Sequence, residues 1–415
     1  LRPLPPGRLC AAPAAGIFSF GMVLFQLLLV SFLLRILWLD SPGGRTIFDE
    51  HYYVNASRVI LGIPVEAGQP YAGKPAGLDA NTEHPPLGKL LITGSMALFG
   101  DNPYGWRMPA IVFGTAAIGL TAGVVLAAGG SQTAALMAAF LLAFDNLAFV
   151  HSRVATLDVF VLTFSLLAAY CYLRRWTAAA GAALALAGLV KVNGLWLALA
   201  FAAFEAYLVC RPRDEPRAAI RRLVQTGAAT VAAFGLGLFV LDRFFTTYTT
   251  PIQHLQRIFG YGMGLKASER SGESSYPWDW LLNQTQMPYY HLDKVFEVNG
   301  QVVRRVAEIS FTGALNPYLI FVAPVALAAA GWWAWTSRDR VAAVAVCWVA
   351  ATYLPFFALA ATGRVMYIFY ILPAVPGMAI AAALLAERLP AAARWAYLAV
   401  YLFGFASLFP FRVLP

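Results

Sequence analysis

The chain has 415 residues, of which 60% are hydrophobic and only 12% are charged, with a formal net charge of +9. Soluble domains carry about 25% charged residues, so this composition excludes a soluble globular protein and implies a polytopic membrane protein. The basic residues sit in short loops on one side of the apolar runs, as orientation signals do, which argues against nucleic-acid binding.

About eleven runs approach the roughly 20 apolar residues that a spanning helix needs. They lie near 16–39, 107–129, 131–150, 156–174, 176–190, 193–210, 223–241, 316–335, 341–360, 366–386 and 391–412. The first is too long for a signal-peptide core, lacks a convincing cleavage site, and reads as a retained helix. The segment 87–100, "LGKLLITGSMALFG", is too short to span and reads as a helix lying in the interface or re-entering it. Cys10 lies in the N-terminal tail, and Cys171, Cys210 and Cys347 lie in or at the ends of apolar runs, so no disulfide framework is expected.

Arg2 and Arg8 precede the first run, and Arg174 and Arg175 follow the fourth. "RPRDEPRAAIRR" (211–222) follows the sixth, "SRDR" (337–340) the eighth, and Arg388 with Arg394 separates the last two. With eleven spans all of these fall on one face, which is then cytoplasmic, and the C-terminus lies outside. Two long loops, 40–106 and 242–315, face outward. In the second, Ile252, Leu255, Ile258, Phe259 and Met263 keep near-helical spacing and predict a surface helix. His51, His84, His151, His254 and His291 all land on the outer side, with Asp49, Glu50, Asp79, Glu83, Asp101 and Asp158.

The first chemical group is the Asp49-Glu50 pair in "FDEHYY". Adjacent helical residues point about 100° apart, so one carboxylate can enter a cavity while the other orients it. A charged pair at a helix start is the plain structural alternative. "TEHPPLGKLL" presents His84 at a rigid entry and Lys89 one turn into a helix, and "WRMP" places Arg107 at the outer end of the second run. "FDNLAFVHSRVATLD" sets Asp145 inside an apolar helix, Arg153 at its outer turn and Asp158 at the start of the next helix. Lys191 lies in "LVKVNG", and Arg364, Tyr367 and Tyr370 lie in "ATGRVMYIFYILP". Taken singly, the basic residues read as interfacial anchors and Asp145–Arg153 as a structural pair. Together, Arg107, Arg153, Lys191 and Arg364 around the carboxylates suit a lipid-linked phosphate with a hydroxyl activated beside it.

The ordered set "FDEHYY", "HPPLGKLL", "WRMPAIVFG", "DNLAFVHSRVATLD" and "VKVNGL" resembles the protein O-mannosyltransferases, GT-C glycosyltransferases that use polyprenyl-phosphate mannose. "SYPWDWLL" and "ALNP" resemble the bacterial branch, and the likeness covers roughly 45–375. It implies an all-α polytopic GT-C fold, expected to form a single transmembrane domain over 1–415 with juxtamembrane helices in the long loops and no separate soluble domain. It implies Asp49 as the catalytic acidic residue with Glu50 beside it, phosphate contact by Arg107, Arg153 and Lys191, and Asp158 and His84 in substrate positioning. Arg364 extends the basic cluster and Tyr367 the positioning set. There are departures: His51 follows Asp-Glu where a small apolar residue is more familiar, Leu315 stands where the family usually has Gly, and 68–82 is expanded.

The expected reaction is inverting transfer of mannose from the lipid phosphate to Ser or Thr hydroxyls of proteins, at the outer face of a bacterial plasma membrane. Asp49 would be the general base and Glu50 would orient the substrate. A divalent metal held by Asp49, Asp158 or His84 stays an option. Two rival readings are another GT-C transferase, moving a pentose or aminosugar to lipid A or a cell-wall glycan, and, more distantly, a transporter with Asp145 and Arg153 as a relay. No internal repeat supports the transporter.

Overall fold

The computed structural model describes residues 19–210, 215–266, 273–298 and 301–409. Arg2, Arg8, Cys10 and the first part of the basic 211–222 loop lie outside the described residues.

The chain runs through α1 (Phe20–Ile36), α2 (Glu50–Leu61), α3 (Leu87–Phe99), α4 (Pro103–Ala127), α5 (Gln132–Ala143), α6 (Asn146–His151), α7 (Asp158–Leu173) and α8 (Thr177–Val190). A 3-10 turn, Val192–Trp196, leads into α9 (Leu197–Cys210), followed by α10 (Pro216–Phe245), α11 (Pro251–Gly264) and α12 (Pro277–Trp280). An antiparallel hairpin follows, β1 (Met287–Val298) with β2 (Gln301–Gly313). The remainder is α13 (Pro317–Thr336), α14 (Arg340–Tyr353), α15 (Pro355–Ala361), a 3-10 segment Ile368–Ala374, α16 (Val375–Glu387) and α17 (Ala391–Ser407).

Local chemistry sets these boundaries. Asn102 accepts from the amides of Tyr104 and Gly105, with Pro103 at the first helical position of α4. Ser131 caps α5 and Asp339 caps α14 in the same way. Gly62, in the left-handed region at φ 72°, ends α2.

Every apolar run read from the sequence contains a helix. Among the described residues, six helical stretches are long and apolar enough to cross a membrane: α4, Val192–Cys210, α10, α13, Arg340–Ala361 and Ile368–Glu387. α1, α3, α5, α7 and α8 are shorter apolar helices. Among the described residues, helix length supports six crossings where the apolar runs predict eleven. The protein is an integral, multi-pass membrane protein.

Two expectations need correction. The run 131–150 is not one helix: it breaks at Asp145, whose extended backbone and carboxylate start α6 by accepting from the Ala148 amide. Its other oxygen accepts from the amide of Asn316. The second long loop also carries the hairpin, which an all-helical reading lacks. Its strands pair from Met287–Gly313 to Val298–Gln301, with three register shifts.

The bundle centre is rich in small residues. Ala134, Ala135, Ala138 and Ala139 of α5 and Ala379, Ala381, Ala382 and Ala383 of α16 are buried, which lets backbones approach closely. By contrast α10 exposes Ile220, Val224, Val231, Leu236, Phe239 and Phe244, as a lipid-facing helix should. It meets α8 at Gly181, where an added Cβ would lie 2.6 Å from the Thr226 carbonyl oxygen and 2.9 Å from the Thr230 amide. Those atoms are helix backbone and cannot turn aside. Gly181→Ala is therefore expected to cost about 1–3 kcal/mol by forced separation of α8 and α10. A melt of the purified protein in detergent checks this, and an unchanged midpoint would contradict the close contact.

Candidate active site

Glu50, fully buried, is the first residue of α2. Its Oε1 accepts from Arg107 Nε at 2.8 Å and from the Ala155 amide at 2.8 Å. Its Oε2 accepts from another Arg107 nitrogen at 2.8 Å and from the Ile47 amide at 2.9 Å. Arg107 gives its other N–H groups to the carbonyls of Leu39, Ser41 and Arg45, at 2.6, 2.9 and 3.0 Å. All five guanidinium donors are thus taken by protein oxygens. The sequence placed Arg107 at an outer helix end facing phosphate; the structure places it inside, tying the 39–47 loop to α4 and to the linker before α7.

This clamp fixes the neighbouring carboxylate. Phe48 sits at φ 50°, a left-handed conformation uncommon for a bulky residue and often found at functional sites. Its ring packs edge-on against Tyr289 at 4.6 Å and Phe369 at 5.4 Å. Asp49 follows, half-buried, and no described residue hydrogen-bonds its carboxylate. Burial pushes that carboxyl up to about 6, while Lys191 pulls it down and Asp158 adds to the rise.

Lys191 ends α8 and Asp158 begins α7, and their side chains meet at 2.8 Å, each about one-seventh exposed. Lys191 also stands 6.0 Å from the Phe369 ring centroid. Behind them lies His151, buried, with Nδ1 3.9 Å from Asp158.

The motif around His84 is held from within. Lys89, fully buried, pairs with Asp79 at 2.6 Å and donates to the His84 carbonyl at 2.8 Å and to the Asn81 carbonyl. The Asp79 amide bonds the Phe245 carbonyl, and His254, bonded to Asp242 at 2.6 Å, reaches the Thr82 carbonyl at 3.2 Å. The 79–84 loop is thereby docked on the outer ends of α10 and α11. Burial, with Lys191, Lys89, Arg364 and His254 nearby, holds His84 well below its usual pKa, so its imidazole is neutral.

Arg153 is buried and donates to the Leu37 and Trp38 carbonyls at 2.7 and 3.1 Å. Arg364, partly exposed, donates to the Gly262 carbonyl, and its segment pairs with Lys266. Its charge acts on His84 and Tyr370. Tyr367 stacks on Phe369, with ring centroids 5.6 Å apart. Asp49, Asp158, Lys191, Arg364, His84, Tyr367 and Tyr370 thus border one half-buried region, while Glu50, Arg107 and Lys89 support it.

Sequence reasoning assigned no part in the site to Phe48, His151, Tyr289 or Phe369. Tyr289 is 138 residues from His151, and no spacing rule joins them. Among the described residues no three His, Cys, Asp or Glu side chains gather closely enough to hold a metal ion.

The family model described as dolichyl-phosphate-mannose-protein mannosyltransferase matches residues 83–240. A polyprenol-phosphate-mannose–protein mannosyltransferase of Mycobacterium tuberculosis is 27% identical over 404 residues, covering 80% of this chain and 73% of the relative. The Saccharomyces cerevisiae Pmt1-Pmt2 complex bound to its sugar donor superposes with a TM-score of 0.71 at 11% identity, over 95% of this chain and 90% of that one. ArnT of Cupriavidus metallidurans bound to undecaprenyl phosphate gives 0.61 at 19% identity, over 92% and 63%. At these identities the two structures speak for a shared fold alone.

Glu50→Ala would leave the Arg107 guanidinium buried without its carboxylate. The expected destabilisation is about 3–5 kcal/mol, measured as a lower melting midpoint in detergent. A variant as stable as the wild type would show that the clamp does not hold the loop.

Proposed function

We infer that this chain, whose residues 83–240 match the dolichyl-phosphate-mannose-protein mannosyltransferase family model, is a glycosyltransferase that transfers mannose from a polyprenyl-phosphate donor to Ser or Thr hydroxyls of proteins. The observation that carries the mechanism is Asp49: a half-buried carboxylate with its affinity for a proton raised and no described hydrogen-bond partner, close to a Lys–Asp pair.

The chemistry follows from the groups present. The acceptor oxygen attacks the anomeric carbon as the bond to the phosphate oxygen breaks. The electron pair leaves on the phosphate, and Asp49 takes the hydroxyl proton. A single displacement inverts the anomeric centre. A phosphate is a good leaving group, so the main demand is for fixed positive charge where its negative charge grows. We assign that task to Lys191, held by Asp158, with Arg364 at the rim. Arg107 and Arg153, which the resemblance also linked to phosphate, act here on the loop that carries Asp49. Glu50 sets the direction of Asp49 through the clamp, and neutral His84 and Tyr367 border the substrate.

The active site is assigned to the extracytoplasmic face of a bacterial plasma membrane. Asp158 opens α7 while Arg174 and Arg175 follow its other end, and Tyr370 precedes α16 while Arg388 follows it. The reacting groups and the basic loops therefore lie at opposite helix ends, as the positive-inside rule requires. The two long outer loops and the bundle together serve as one transmembrane catalytic unit.

Asp49→Asn is expected to lower turnover by about 10²–10⁴-fold with donor binding retained, in an assay with polyprenyl-phosphate mannose and a Ser/Thr peptide. For the wild type, kcat/KM should climb as pH rises through about 6, because Asp49 accepts a proton only when ionised. Near-wild-type turnover in a folded Asp49→Asn protein would remove the base assignment.

A further inference from the structure

His151 occupies the last position of α6, and its ring is buried. Nε2 lies 2.5 Å from the hydroxyl of Tyr289, on β1. Nδ1 lies 3.2 Å from Thr156 Oγ1 and 3.9 Å from Asp158 Oδ2. Tyr289 has no other hydrogen-bond partner among the described residues, and its buried hydroxyl is satisfied as a donor when Nε2 accepts its proton. A neutral imidazole has one N–H. With Nε2 accepting, that N–H is on Nδ1 and faces Thr156 and the carboxylate of Asp158. The other oxygen of Asp158 holds Lys191 at 2.8 Å.

Tyr289 is seated with care. Its ring is buried, packs on Phe48 at 4.6 Å, and lies against Gly313, where an added Cβ would come within 2.2 Å of it. The hairpin root therefore touches both halves of the site: the loop carrying Asp49, through Phe48, and the Asp158–Lys191 pair, through His151.

We propose that His151 and Tyr289 are positioning residues for the transfer reaction: Tyr289 fixes which ring nitrogen of His151 bears the proton, and His151 fixes the carboxylate that aims Lys191 at the departing phosphate. Neither touches the substrate. The proposal rests on Lys191 as the cation that meets the donor phosphate.

Amide side chains separate the two ring nitrogens. His151→Asn keeps a donor near the Nδ1 position, and His151→Gln keeps a partner for Tyr289 but loses that donor. With polyprenyl-phosphate mannose and a Ser/Thr peptide, His151→Gln should lower kcat about 10–100-fold at near-constant donor KM, and His151→Asn should restore most of it. Tyr289→Phe should lower kcat about 5-fold in the wild-type background and add little to His151→Asn, because one path joins them. A merely structural histidine would give equal losses for Asn and Gln that track the melting midpoint, and losses that multiply with Tyr289→Phe. Either pattern, or a His151→Gln enzyme with wild-type kcat, would overturn the relay while wild-type turnover keeps the functional reading. A wild-type protein without turnover would overturn that reading and the relay with it.

Discussion

The site depends on one buried ion pair. Glu50 and Arg107 leave no polar atom of their carboxylate and guanidinium without a protein partner. Buried charges are costly unless paired and fully hydrogen-bonded, and breaking such a pair costs more than it gains when formed. The pair ties the 39–47 backbone to α2, α4 and the linker before α7. Asp49 is the next residue outward, so its direction is set by a neighbour sealed in the interior.

A second group of contacts, around Lys89, repeats this logic. A buried ammonium is wrapped by Asp79 and by carbonyls of the loop it organises. In both places a basic residue near the membrane surface serves the backbone. The cations left facing the half-buried region are then few, chiefly Lys191 and Arg364. Few cations suit a reaction whose leaving group must be stabilised at one place, and in a low-dielectric setting each is worth more than in water.

Much of this was legible in the residues. Apolar run length found the helices, because lipid demands it. The acidic pair, the two basic-acidic motifs and the family likeness located the region. Depth in the membrane was readable, but partner was not: Arg107 and Lys191 look alike as single basic residues at an outer boundary, and only the fold shows that one is enclosed by carbonyls. The break at Asp145 was hidden because a capping carboxylate and an intramembrane charge have the same sequence appearance. The hairpin left a trace that an all-helical frame passed over. Asn299-Gly300 stands between "YYHLDKVFEV" and "QVVRRV", a two-residue turn signal between strand-forming runs. The Tyr289–His151 contact had no local signal at all.

The lipid-facing α10 has 30 residues, about 45 Å at 1.5 Å per residue. A hydrocarbon core is about 30 Å thick, so this helix is a post taller than the slab it stands in. On its outer end rest Asp242, which holds His254, and the Phe245 carbonyl, which receives the Asp79 amide. The floor of the site is thus built at the top of that post. The contacts that seat the 79–84 loop are therefore carried by the part of the post that stands clear of the acyl chains.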